Sequence, residues 1–158
     1  MSRPPVELDL SVSYGLPRAG LPAASSFRQW VSAALQDRIK RADLALRLVG
    51  EYEGRSLNRH YRGKDYATNV LSFPAELPPG VDLPILGDIV ICAPVVQREA
   101  RVQGKDCRAH FAHLTVHGVL HLLGFDHEDP LDAQSMETLE REILAGLGFD
   151  DPYGDDEA

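Results

Sequence analysis

A chain of 158 residues, 44% apolar and 25% charged, has the size and balance of one globular domain and is neither low-complexity, disordered nor collagen-like. Two cysteines, Cys92 and Cys107, are too few for a disulfide scaffold and read as buried, reduced thiols. The formal net charge of −8 argues against a nucleic-acid partner, but Asp150, Asp151, Asp155, Asp156 and Glu157 supply five of those charges from an acidic end with no Lys or Arg beyond Arg141.

The opening Met1-Ser-Arg-Pro-Pro-Val-Glu has no apolar segment of the signal-peptide kind, so a cytoplasmic location is expected. Residues 6–13 alternate apolar and polar side chains through Val6, Leu8, Leu10 and Val12, the period of a half-buried strand. Ser25 or Ser26 offers an N-cap to a helix running to about residue 38, with Phe27, Trp30, Val31, Ala34 and Leu35 on one face. Residues 43–51 alternate again through Leu44, Leu46 and Leu48, and the strand–helix–strand order predicts parallel neighbours. Leu57 and Tyr61, four apart, predict a short helix over 54–61 closed near Gly63. Arg55, Arg59, His60, Arg62 and Lys64 make this a basic segment, read either as a solvated face or as a phosphate contact.

Residues 69–73 form a third predicted strand stopped by Pro74, Pro78-Pro79-Gly80 marks a loop, and residues 86–92 form a fourth strand. The polar break at Gly87-Asp88 marks either a close approach by a ligand or another backbone, or a bulge with a turn-forming aspartate. Pro94 sits at the start of a helix that ends by Gly104. The next helix, about 108–123, carries Phe111, Leu114, Val116, Val119, Leu120, Leu122 and Leu123 around its circumference and must be central and buried. Its histidines interrupt the longest uncharged stretch, which is no membrane span. A last helix over about 131–147 has Met136, Leu139, Ile143, Leu144 and Leu147 as its core face. The sum is an α+β fold: a single domain over residues 1–149 with a small four-stranded sheet covered by helices, then an acidic tail over 150–158.

The chemistry concentrates in His117-Gly-Val-Leu-His121-Leu-Leu-Gly124-Phe-Asp126-His127. On a helix His117 and His121 lie one turn apart on one face, and both can reach one ion. Gly124 stands where a left-handed residue would end the helix and let the chain bring in His127. Three imidazoles leave a fourth tetrahedral position for water or substrate, as in a catalytic zinc site. Imidazole also suits copper, nickel and iron, so zinc is the favoured ion rather than the only one. His113 extends the same spacing and could orient a ligand or line the cleft, with a core histidine as the plainer role.

The chain resembles the YbeY family of bacterial endoribonucleases. The likeness rests on the segment from His117 to His127, on Tyr61-Arg62-Gly-Lys-Asp with Thr68-Asn-Val-Leu-Ser-Phe-Pro74, on Leu86-Gly-Asp-Ile89, and on two C-terminal runs from Met136 and Leu147. Phe125 stands where the family often has tyrosine. The resemblance implies one zinc ion bound by His117, His121 and His127, and Arg62 acting in catalysis or RNA binding. It also implies cleavage of single-stranded RNA in ribosomal RNA maturation, at the 3′ end of the small-subunit RNA, and in ribosome quality control. The expected partners are RNA and the small ribosomal subunit, with no membrane and no DNA.

Two rival readings stand beside it. Metzincin proteases share the histidine and glycine spacing but place a glutamate general base directly after the first histidine, where this chain has Gly118. A non-catalytic ribosome assembly factor could hold the metal as a staple. In the nuclease reading Arg62 stabilises charge developing on the phosphate; Asp126 is either a proton acceptor or a loop-fixing aspartate, and Asp88 a secondary candidate.

Overall fold

The computed structural model describes residues 4–126 and 128–154. Among these the order is β1 (Glu7–Tyr14), α1 (Ala24–Leu35), β2 (Arg41–Val49), α2 (Glu51–Arg62), β3 (Val70–Pro74), β4 (Ile85–Cys92), α3 (Ala93–Gln103), α4 (Cys107–Leu122) and α5 (Pro130–Gly146). The strands form one sheet in the order β1-β2-β4-β3. β1 and β4 both run parallel to β2, and β3 closes the far edge antiparallel to β4. The α+β expectation holds, as does the predicted parallel pairing across the first crossover. No helix among the described residues is long and apolar enough to cross a membrane.

Alternation in β2 divides the molecule. Ala42, Leu44, Leu46 and Leu48 are buried in the main core, while Arg47, on the opposite face, meets Glu53 of α2 through paired hydrogen bonds of 2.8 and 3.0 Å. Leu46, Leu48, Ile89 and Ile91 are fully buried, and each such side chain contributes about 1.5–3 kcal/mol. α4 packs on β3 and β4 and touches α1, α3 and α5. With apolar residues on every side, it has no face it can leave in water. Phe27 and Trp30 of α1 bridge Phe111 of α4 to Phe149 in edge-on contacts, with centroids 5.2 to 6.3 Å apart.

Several boundaries differ from expectation. α1 starts after Ala23 with no side-chain cap, so neither Ser25 nor Ser26 is its N-cap. Burial of Phe27, Trp30, Val31, Ala34 and Leu35 holds this helix, and most helical stability in proteins comes from such packing. β2 ends at Val49 rather than residue 51, and α2 begins at Glu51 rather than Gly54. Glu51 and Glu53 favour the positive end of the helix dipole. Gly54 is an interior packing residue, since a Cβ there would sit 3.0 Å from the Cys92 sulfur. Cys92 is buried and Cys107 half-buried, and burial raises the pKa of both thiols.

Gly87 resolves the polar break in β4. The register with β2 slips between Asp43 and Leu44, which is a bulge, and Gly87 has φ 139°. A Cβ there would collide with the Phe73 carbonyl oxygen and lie 2.9 Å from the Ala75 nitrogen, so another backbone makes the close approach. Gly87→Ala should therefore cost about 3 kcal/mol through combined steric and dihedral strain. Gly80→Ala, with φ 82° but open space around it, should cost only about 1 kcal/mol. Urea unfolding midpoints at an unchanged slope would measure both.

Candidate metal centre

His110, His113, His117 and His121 recur at spacings of three and four on α4 and form one column. Successive ring centroids are 6.4, 6.4 and 4.7 Å apart. The column runs from the interior to the surface: His110 and His113 are 6% and 9% exposed, while His117 and His121 are half-buried. The outer pair lines a cleft of about 410 Å³ whose walls include Arg62, Asn69, Ser72, Asp126 and Glu128.

Arg62 reaches that cleft from the last position of α2. The turn after it is held from both sides: buried Asn58 donates its side-chain N–H to the Tyr66 carbonyl at 2.7 Å, and Arg55 pairs with both oxygens of Asp65 at 2.8 and 3.0 Å. Among the described residues Arg62 has no carboxylate partner, unlike Arg47, Arg55, Arg98 and Arg141. A guanidinium in this state is available to an anionic ligand.

His121 is followed by the expected glycine turn. Gly124 has φ 99°, and Phe125 N–H bonds back to the Leu120 carbonyl at 3.0 Å, which closes the helix and turns the chain toward Asp126. The Asp126 carboxylate accepts the Glu128 N–H at 3.3 Å within the same loop, where it also forms part of the cleft wall. His127 lies outside the described residues, and among those described no three His, Cys, Asp or Glu side chains form a metal-holding group. The donor chemistry nonetheless suits a divalent ion. Two adjacent imidazoles share one cleft, and His117 turns Nδ1 to a carboxylate at 3.0 Å, as metal-ligating histidines usually do.

That carboxylate is Glu140 of α5, fully buried and absent from the predicted site. Its Oε1 receives His117 Nδ1 and His113 Nε2, each at 3.0 Å, while the Tyr153 hydroxyl lies 3.1 and 3.0 Å from its two oxygens. Burial alone would raise its pKa, but the bonds to His113 and His117 override that and hold it at about 2. An ionised carboxylate only accepts, so the ring nitrogens that face it, Nδ1 of His117 and Nε2 of His113, are placed to donate. Burial, then the neighbouring Glu140 charge, pushes the Tyr153 phenol well above its ordinary range and keeps it a donor. One step deeper, His110 Nε2 meets Glu99 at 3.0 Å, and Glu99 also accepts from Asn69 of the cleft wall at 3.1 Å. Desolvation lowers the His110 pKa despite that partner.

His113 therefore stands behind His117, bonded to Glu140 and Tyr153, and is not part of the cleft wall. Asp88 lines a separate groove with Arg47, Glu53 and Tyr61. Gly118 faces the sheet: a Cβ there would stand 3.2 Å from Ile89 Cγ2 and 3.3 Å from Ser72 Oγ. A signal for Glu140 did exist in the sequence, since it sits four residues after Met136 and four before Leu144 on the buried face of α5. Tyr153 offered none. Asp150 to Gly154, placed by sequence in an acidic tail, include further anchors to the domain, with Lys105 bonded to the Pro152 carbonyl at 2.9 Å and Arg141 to Asp151 at 3.2 Å.

Comparison with known proteins extends the local geometry to the whole chain. The family model described as Endoribonuclease YbeY matches residues 21–148. Proteins named Endoribonuclease YbeY from Stenotrophomonas maltophilia strain K279a and Xanthomonas axonopodis pv. citri are 71% and 69% identical over 157 residues, covering 97% of this chain and 98% of theirs. The solution structure of TM1509 from Thermotoga maritima superposes with a TM-score of 0.59 at 22% identity, over 90% of this chain and 97% of that one, and shares the fold. With the family model matching most of the chain and relatives about 70% identical over nearly its full length, the chain belongs to the YbeY family of endoribonucleases.

Proposed function

We propose that this protein is a zinc-dependent endoribonuclease of the cytoplasm that cuts single-stranded RNA, with ribosomal RNA at the small subunit as its substrate. The observation that carries the reading is the pairing of two adjacent imidazoles, His117 and His121, in one cleft with Arg62, a guanidinium that has no carboxylate partner among the described residues. The relatives' printed name supplies the reaction class. His117, His121 and His127 would hold the ion. A zinc ion held there would supply Lewis acidity toward a phosphoryl oxygen or an attacking water.

The chain's own residues divide the remaining work. Arg62 binds the scissile phosphate and stabilises charge on its non-bridging oxygens, a task suited to a planar fork of donors. Asn58 and the Arg55–Asp65 pair hold the turn that follows it. The cleft carboxylates Asp126 and Glu128 come from the loop after α4. Asp126 fixes that loop through the Glu128 N–H and is also a candidate proton acceptor.

The protease reading loses its base for a packing reason. Position 118 faces Ile89 and Ser72 at contact distance, so a glutamate there would press into the sheet. Losing a general base costs about 10²–10⁴ in rate, which disfavours peptide hydrolysis by the metzincin route.

Chelation of the purified protein should abolish cleavage of a fluorogenic single-stranded RNA, and added zinc should restore it, while duplex RNA and casein stay intact under both conditions. Casein cleavage lost on chelation would overturn the reading in favour of the protease; preserved ribosome binding with no RNA cleavage would favour the assembly factor. Zinc at about a hundredfold over its Kd should also stabilise the fold by roughly 2.7 kcal/mol, read from the unfolding midpoint.

Arg62→Ala should lower kcat on single-stranded RNA by about 10²–10³ at unchanged zinc content. Arg62→Lys should recover only part of that loss, because an ammonium is a point charge without the bidentate fork. Full activity in Arg62→Ala would remove Arg62 from the mechanism.

A further inference from the structure

Glu140 is a buried charge that the proposed chemistry does not use. It is fully enclosed, lies on the core face of α5, and takes donors from two other parts of the chain: His113 and His117 on α4, and Tyr153 beyond α5. A carboxylate in a core is costly unless every lone pair is met, and an apolar residue in phase with Met136 and Leu144 would fill the same place without that cost. Its contacts are directional. Of the two cleft imidazoles, His117 presents its Nδ1 to Glu140 at 3.0 Å while the ring still lines the cleft wall.

We infer that Glu140 is a positioning residue for the metal centre: by accepting the Nδ1 proton of His117 it fixes that ring's tautomer and orientation, so that Nε2 is the atom presented to a divalent cation. The inference rests on the proposed metal-binding reading of His117. His113 and Tyr153 are the struts of the arrangement. His113 Nε2 lies 3.0 Å from the same Oε1 and 3.1 Å from the Tyr153 oxygen, and the tyrosine hydroxyl reaches both carboxylate oxygens. The carboxylate thus cannot rotate without breaking several bonds at once. The segment bearing Tyr153 is itself tied down through Asp151 to Arg141 and through Pro152 to Lys105. The C-terminal end of the domain is in this way connected to a cleft ligand through one buried acid.

The test needs two readouts, one of which involves no metal and no variant. Long-range nitrogen–proton NMR of the metal-free wild type should show His117 protonated at Nδ1; a ring protonated at Nε2 and bare at Nδ1 would overturn the assignment. Zinc affinity is then measured by competition with a chromophoric chelator for wild type, Glu140→Gln and Tyr153→Phe, with folding checked by circular dichroism. Glu140→Gln keeps the shape but cannot accept from every donor, so its zinc affinity should fall about 10- to 100-fold and its His117 tautomer should become mixed. Tyr153→Phe should fall less and in the same direction. Wild-type zinc affinity in a folded Glu140→Gln overturns the positioning role alone. If Glu140→Gln fails to fold, the wild-type tautomer decides instead: a His117 ring bare at Nδ1 overturns the role, while an unaltered affinity in Tyr153→Phe removes only the tyrosine strut. A wild type that takes up no zinc overturns the metal reading as well.

Discussion

A helix that is apolar on every side must be surrounded, and α4 imposes that requirement on the rest of the molecule. The sheet takes one flank through β3 and β4; α1, α3 and α5 take the others. The approach to the sheet is close enough that a Cβ at position 118 would press on Ile89 and Ser72 at 3.2–3.3 Å, and Ser72 bonds to the Gly118 carbonyl at 3.3 Å where the two surfaces meet. Small residues at such contacts allow backbones to approach, and α4 spends its one glycine there.

Burying α4 also buries what it carries. Four imidazoles in a column cannot all be left dry without partners, and the two deeper ones are met by carboxylates from neighbouring helices, Glu99 of α3 and Glu140 of α5. Both bonds run through Nε2, and with Nε2 donating, the ring atoms left without a partner among the described residues are the Nδ1 acceptors of His110 and His113; an under-satisfied acceptor is tolerated better than an orphaned N–H. The outer pair emerges into the cleft. The inner half of the column is thus part of the core's polar framework, and the outer half is the candidate site, with Glu140 touching both.

Much of this is legible in sequence because it repeats. The continuous apolar circumference of α4, the four-residue histidine spacing and the glycine after it follow from helix geometry, and the parallel β1–β2 pair follows from a crossover helix between alternating segments. The start of α2 does not, because Gly54 reads as a breaker until Cys92 is seen against it. Arg62 stands in a basic segment whose composition fits a solvated face equally well; resemblance to a family singled it out, and only the fold brings it beside His117 and His121. Glu140 is harder still. α5 contains Glu137, Glu140 and Glu142, and helix phase selects the buried one only when Met136 and Leu144 are taken as a single stripe. Tyr153 follows the helix in an acidic run, where nothing in the composition marks a phenol aimed into the core.

The division of labour across the cleft follows from these constraints. The imidazoles stand on the helix that the sheet and three other helices pack against, and His117 is braced from behind by a buried carboxylate. Arg62 stands at the end of an exposed helix, held by a local amide bond and a surface ion pair. A metal ligand displaced by a fraction of an ångström loses its geometry, whereas a guanidinium with a long stem tolerates small shifts and still reaches a phosphate. The sheet lies against position 118, and the carboxylates that line the cleft, Asp126 and Glu128, come from the loop after α4. The glycine that lets α4 settle on the sheet also stands where a metzincin carries its glutamate general base.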